Sequence, residues 1–155
     1  MTEIINQEIS IGIPDGFRIM SAEELTKVYV TSDPKRWGIW DQDRHVIITV
    51  LWQDLNALTA MLADIDAAAV RNEQMAKKGY EGHGYALEGF RDAQISGHHA
   101  RGYSFTYDIQ DVHQHVSTLL FKAGKRIYSI NCIGRNENCE ADQKLFEDVL
   151  KTVSF

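Results

Sequence analysis

The chain has 155 residues, 44% of them hydrophobic and 25% charged, with a formal net charge of −6. That composition belongs to one globular domain over residues 1 to 155, and lysine and arginine lie scattered, singly or in pairs such as Lys77 and Lys78, which excludes the basic face that nucleic-acid binding needs. No apolar run approaches the roughly 18 to 20 residues that span a bilayer, and the opening MTEIINQEIS lacks the basic and apolar regions of a secretory signal, so a cytoplasmic protein with no transmembrane segment is expected.

ISIGIP alternates apolar and polar residues from Ile9 to Ile13 and stops at Pro14-Asp15-Gly16, which predicts a strand and a turn. SAEEL predicts a helix start: Ser21 caps, Glu24 completes a capping box, and Met20 staples onto Leu25. That helix is expected to end near Tyr29. WGIWDQDRHVIITVLW then reads as a hairpin that turns near Gln42-Asp43. In its second run both alternating sets are mostly apolar: Val46, Ile48, Val50, Trp52 on one side and Ile47, Thr49, Leu51 on the other. A strand that is apolar on both faces is covered on both.

The longest helix is predicted from Asn56 to Lys78, with Gly79 as its stop. Leu58, Met61, Leu62, Ile65, Ala68, Ala69, Met75 and Ala76 make one stripe along it, expected to face the core. After Gly84 come four runs, about 85 to 95, 98 to 109, 112 to 122 and 126 to 133, joined by connections too short for crossover helices, hence an antiparallel meander. A last helix is predicted from Cys139 to Lys151, with Asn138 as cap and Leu145, Phe146, Val149 and Leu150 on its core side. The predicted class is therefore α+β: a single-domain α/β/α sandwich with a central antiparallel sheet of about six to seven strands and helices on both faces.

Four of the six histidines fall between Ser96 and Phe121. A two-residue turn at Gln110-Asp111 sets Asp108 opposite His113, Thr106 opposite His115 and Ser104 opposite Ser117, so Asp108, His113 and His115 share a face. A turn at Ala123-Gly124 places Cys132 opposite His115. Carboxylate, imidazole and thiol together suit zinc, and a three-ligand site with an open position suits hydrolysis. The plainer reading is that alternating histidines mark the wetter end of a sheet and that His113 pairs with Asp108 without any metal. No cofactor is expected. Cys132 and Cys139 are too few for a disulfide framework or a zinc ribbon and are expected as free thiols.

GYEGHGY follows a helix and has no lysine followed by serine or threonine, so it is a connection and not a phosphate loop. There is no Gly-x-Ser-x-Gly or His-Glu-x-x-His. The candidate partner-binding residues are aromatic: Trp37 and Trp40 beside DPKRWG, and Tyr103, Phe105 and Tyr107 along one face of the meander. The alternative for all five is packing beneath the helices.

A strand ending in IPDGF, a short capped helix, a hairpin, a long amphipathic helix, a meander carrying GKRIYSINCIG and a last helix closing in FEDVLKTVSF together resemble the PsbP-like superfamily over nearly the whole chain. That group includes the photosystem II subunit PsbP, Ran-binding relatives, bacterial lipoproteins and adaptor chaperones of type VI secretion effectors. The resemblance implies an antiparallel sheet between helices and a non-catalytic protein-binding or adaptor role, with no catalytic motif to carry over. A small-molecule or lipid carrier, with an apolar pocket between sheet and long helix, and a metal-dependent enzyme are the alternatives. Homodimerisation is compatible with an adaptor.

Overall fold

The computed structural model describes residues 1–29 and 33–155. The elements in chain order are β1 (Thr2–Ile5), β2 (Ile9–Gly12), β3 (Arg18–Ile19), α1 (Ala22–Val28), β4 (Arg36–Asp41), β5 (Val46–Asp54), α2 (Ala57–Leu62), α3 (Ile65–Gly79), β6 (Ala86–Ile95), β7 (His98–Ile109), β8 (Val112–Ala123), β9 (Arg126–Arg135) and α4 (Cys139–Thr152). Strands β3 to β9 form one seven-stranded antiparallel sheet in the order β3-β4-β5-β9-β8-β7-β6. The predicted α+β sandwich is therefore the fold, and its core is double. On one face Phe146, Val149 and Leu150 of α4 pack with Ile48, Val50, Leu119, Phe121 and Ile130 of the sheet. On the other, Ile65, Ala68 and Ala69 of α3 pack on Tyr103, Phe105, Val116 and Leu120.

Local chemistry explains most boundaries. Ser21 and Glu24 form the capping box of α1, and Glu24 is held down at about 2 by its hydrogen bonds from Arg18 and the Ser21 amide. Leu25 and Met20 both bear on Gly38 of β4: a Cβ there would lie 2.9 Å from Leu25 Cδ2 and 3.2 Å from Met20 Sδ. The left-handed pairs Gln110-Asp111 and Asn6-Gln7 make the tight turns of the β7–β8 and β1–β2 hairpins.

The strand expected at Ile9 is β2, which pairs with β1 in a hairpin separate from the sheet, buries Ile5, Ile9 and Ile11 on the α4 face and bonds Ser10 to Ser154 at the other end of the chain. Other expectations are corrected. The long helix is two. Asp64 accepts bonds from the amides of Asp66 and Ala67 at 3.0 and 3.3 Å, recapping the chain so that α3 starts afresh at Ile65. The predicted stripe splits accordingly: Ile65, Ala68 and Ala69 are buried, whereas Leu58, Met61, Leu62 and Met75 are exposed. Asn138 makes no side-chain cap; a 3-10 turn over Asn136–Asn138 leads into α4.

Gly38→Val forces branched carbons against Leu25 and Met20. Overpacking of this kind costs about 1 to 3 kcal/mol, so the urea midpoint is expected to fall; a midpoint equal to that of the parent would show that α1 does not seat on Gly38.

Candidate functional site

Tyr103, Phe105 and Tyr107 are buried. They run down β7 beneath α3 and its following turn, where Tyr80 stacks on Tyr107 at a ring separation of 4.1 Å and Tyr85 lies 5.0 Å from Phe105. The hydroxyl of Tyr103 donates to Asn72 and that of Tyr85 to Glu73 at 2.6 Å, so α3 is held by polar tips as well as ring faces. Burial raises the pKa of Tyr103, Tyr107 and Tyr85, keeping these donors protonated. The face proposed from sequence as a partner surface is therefore core, and its rings fill the space between α3 and β7. Trp37 and Trp40 are half-buried but stand on opposite faces of β4, paired with Val50 and Ile47. Trp37 packs toward the α4-face core, and Arg18 sits 4.9 Å over the Trp40 ring. The five aromatics do not form one surface.

The β7–β8 register is the predicted one, with Asp108 opposite His113 and Thr106 opposite His115. The next turn is not. Ala123 pairs with Arg126, so the turn is Gly124-Lys125 and Cys132 faces Ser117, while Gly134 faces His115. His113 is exposed and 2.6 Å from Asp108; His115 is buried and 2.5 Å from Glu88. Glu88 comes from a bulge in β6, an irregularity that sequence spacing does not disclose. Among the described residues, the ligand atoms of Asp108, His113, His115 and Cys132 do not gather within one ion's reach, whereas those of Asp66, Asp92 and His99 lie within 4.8 Å of one another. That trio is exposed and already engaged, His99 hydrogen-bonded to Asp66 and Arg101 paired with Asp92, both at 2.7 Å.

Beside His115, the first turn of α4 buries Asp142 with its Oδ2 lacking a hydrogen-bond partner. Burial raises its pKa, against the lowering fields of His115 and Arg44. A helix N-terminus favours a carboxylate by about 0.3 to 1 kcal/mol, and leaving a buried charged group unpaired costs about 1 to 3 kcal/mol or more, so burial wins. The Cys132 thiol is pushed up to about 12 by burial and by the charge of Asp142. It is the opposite of an activated nucleophile.

The open ground lies on the α3 face. There α3 packs over β7 and β8 and α1 over β4, leaving β5 and β9 partly uncovered between them. The result is a groove of about 420 Å³ floored by Leu51, Leu120 and Ile127 and walled by Ala68, Arg71 and Met75. Met75 is 74% exposed at its rim. Helix α2 stands at the end of the sheet where β5 leaves and β9 begins, tied there by the Leu55 amide to the Lys125 carbonyl and Lys122 Nζ to the Ala60 carbonyl, both at 2.8 Å. Its Leu58, Met61 and Leu62 are 66%, 80% and 73% exposed. Arg71, also on the groove wall, has no ion-pair partner among the described residues. Sequence reading placed these apolar residues in the core because it took α2 and α3 as one helix; Asp64, an N-cap residue type in mid-helix, was the available signal.

No family model matches the chain, and no curated protein matches it by sequence. Solved structures do match. Cyanobacterial PsbP from Synechocystis aligns over 99% of this chain and 90% of its own, at 10% identity and a TM-score of 0.70. The chain has the PsbP-like fold. Yeast Mog1p, a Ran-binding protein, shares it at a TM-score of 0.63 and 9% identity over 97% of this chain and 92% of its own. LpqN of Mycobacterium tuberculosis, involved in cell envelope biogenesis, shares it at 0.62 and 13% over 94% and 82%. At such identities the PsbP-like likeness concerns the fold alone. Among the described residues no helix is long and apolar enough to cross a membrane.

With its thiol buried and its pKa raised, Cys132 is expected to stay unlabelled by a thiol reagent in the native protein and to react once urea unfolds it, as peptide mass mapping reads. Labelling of Cys132 in the native state at the rate of a free thiol would contradict the burial described here.

Proposed function

We propose that the protein is a non-catalytic protein-binding or adaptor module whose partner docks on the α3 face, over the β5–β9 groove and the outer side of α2. The observation that carries this reading is the exposure of Leu58, Met61, Leu62 and Met75. Burying each such side chain is worth about 1.5 to 3 kcal/mol; Leu58, Met61 and Leu62, three and four residues apart on one helix, leave that surface in water together, and Met75 does so at the groove rim, which supports an interaction surface. Two of the four are methionines, whose flexible thioethers adapt to a partner's shape. A non-catalytic role is supported by the inert Cys132 thiol and by imidazoles engaged with Asp108, Glu88 and Asp66. The same fold in a Ran-binding protein supports binding as its use, and two unbonded cysteines suit the reducing cytoplasm.

A small-molecule carrier is the second reading, because a groove of about 420 Å³ falls in the range of ligand pockets, about 300 to 1,000 Å³. Native mass spectrometry separates the two, since a carrier arrives with a bound small molecule, and the same spectrum gives the oligomeric state.

Affinity capture from the native organism is expected to enrich a protein whose recovery falls at least about tenfold, equivalent to 1.4 kcal/mol, for a Met61→Glu, Met75→Glu variant of unchanged circular dichroism. A Trp37→Ala, Trp40→Ala variant should retain it. Equal capture by the charged variant would overturn this docking surface.

A further inference from the structure

The β5–β9 groove is apolar along its floor and one-sided in its polar chemistry. Among the described residues that line it, Arg71 is the one ionisable side chain, and its guanidinium meets no hydrogen-bond or ion-pair partner among the described residues. The positions three and four residues away on α3, those a helical side chain reaches, are Ala67, Ala68, Gln74 and Met75, none of them acidic. The carboxylates nearest along the chain are committed elsewhere: Asp64 to the amides of Asp66 and Ala67, Asp66 to His99, and Glu73 to Tyr85. Two further polar side chains of the groove are left as donors. Tyr103 gives its hydroxyl proton to Asn72 Oδ1, which leaves the Asn72 amide hydrogens unused. Asn131 Nδ2 donates to Ser129 Oγ at 3.4 Å, so the hydroxyl proton of Ser129 is available. Gln53 can act as either donor or acceptor. In a chain of net charge −6, the groove is thus a local site of unmatched positive charge.

We infer, resting on the docking surface proposed above, that the partner segment seated in this groove carries an aspartate or glutamate between apolar side chains, its carboxylate on Arg71 and its apolar neighbours on Leu51, Leu120 and Ile127. A guanidinium presents a planar fork of donors that a carboxylate meets with two parallel hydrogen bonds. A wholly apolar segment would strip water from Arg71 and put no acceptor in its place. A basic one would set like charge against it and find no carboxylate in the groove. The occupant is a protein segment because the exposed apolar surface runs on past the groove. Lys122, the cross-strand partner of Ile127, holds the Ala60 carbonyl and so ties α2, with Leu58, Met61 and Leu62, to this end of the sheet. Lys122 also lacks a carboxylate partner among the described residues, so the ground between groove and α2 favours the same sign of charge.

Random-sequence peptides displayed on phage and selected on the intact protein are the probe, with titration of one selected peptide as the readout. Selected peptides are expected to share an acidic residue among apolar ones and to lose binding to Met61→Ser, Met75→Ser, a variant that adds no charge. Changing that acid to its amide should weaken binding to the parent at least about tenfold and binding to Arg71→Gln by less than about twofold, the coupling expected of a direct pair. Arg71 is exposed on its helix, so Arg71→Gln should keep the parental circular dichroism. Added salt should weaken binding to the parent more than to Arg71→Gln. Peptides that need Met61 and Met75 but show no acidic preference overturn the carboxylate and leave the docking surface standing, as does an acid whose removal costs the same in parent and Arg71→Gln. Peptides indifferent to Met61→Ser, Met75→Ser overturn the surface itself. A selection that yields no peptide, while dodecanoate binds the parent and not Arg71→Gln, assigns the groove to a small carboxylic acid and overturns the protein segment; no peptide and no dodecanoate binding overturns both.

Discussion

A sheet of this width needs cover on both faces, and the chain supplies it unevenly. On one side α4 and the β1–β2 hairpin bury Val46, Ile48 and Val50 of β5 completely. On the other, α3 lies over β7 and β8 and α1 over β4, so β5 and β9 are only partly covered in a strip around Leu51 and Ile127, while Thr49 and Asn131 beside them are buried. Leu51 and Ile127 are half-buried there, and the groove follows from that geometry. The edge of the helical layer is where the fold leaves apolar surface in water, and the break at Asp64 turns the apolar side of α2 outward beside it.

The aromatic ladder on β7 explains why α3 cannot slide across to close the strip. Tyr80, Tyr85, Tyr103, Phe105 and Tyr107 interlock beneath the helix, and Asn72 and Glu73 take the hydroxyls of Tyr103 and Tyr85. Moving α3 toward β9 would break both hydrogen bonds inside the core, where an unmet polar group costs about 1 to 3 kcal/mol. The histidine pairs, in contrast, lie toward the ends and edge of the sheet, and among the described residues the buried side-chain atom without a hydrogen-bond partner is Asp142 Oδ2.

Much of the architecture was legible because it rests on local rules. The capping box at Ser21, the doubly apolar β5 and the two-residue turn at Gln110-Asp111 each follow from residue type and spacing. The errors arose where one residue decides between near-equal alternatives. A turn at Gly124-Lys125 in place of Ala123-Gly124 moved Cys132 away from His115, because the hairpin's own residues specify register only weakly. Asp64 broke a helix that the hydrophobic period favoured as continuous. For the aromatics, alternation along β7 gave the shared face of Tyr103, Phe105 and Tyr107 but not whether helix or water lies over it, and that depends on where α3 docks.

The claim that matters most is that the uncovered strip on the α3 face is the working surface, and the four methionines are probes for it. Methyl NMR of the protein, free and saturated with a captured partner, reads them at once. Resonances of Met61 and Met75 should shift or broaden on binding, while that of Met20, buried under α1, stays in place. Binding that leaves Met61 and Met75 unmoved would contradict the account and send the search for the partner site elsewhere on the molecule.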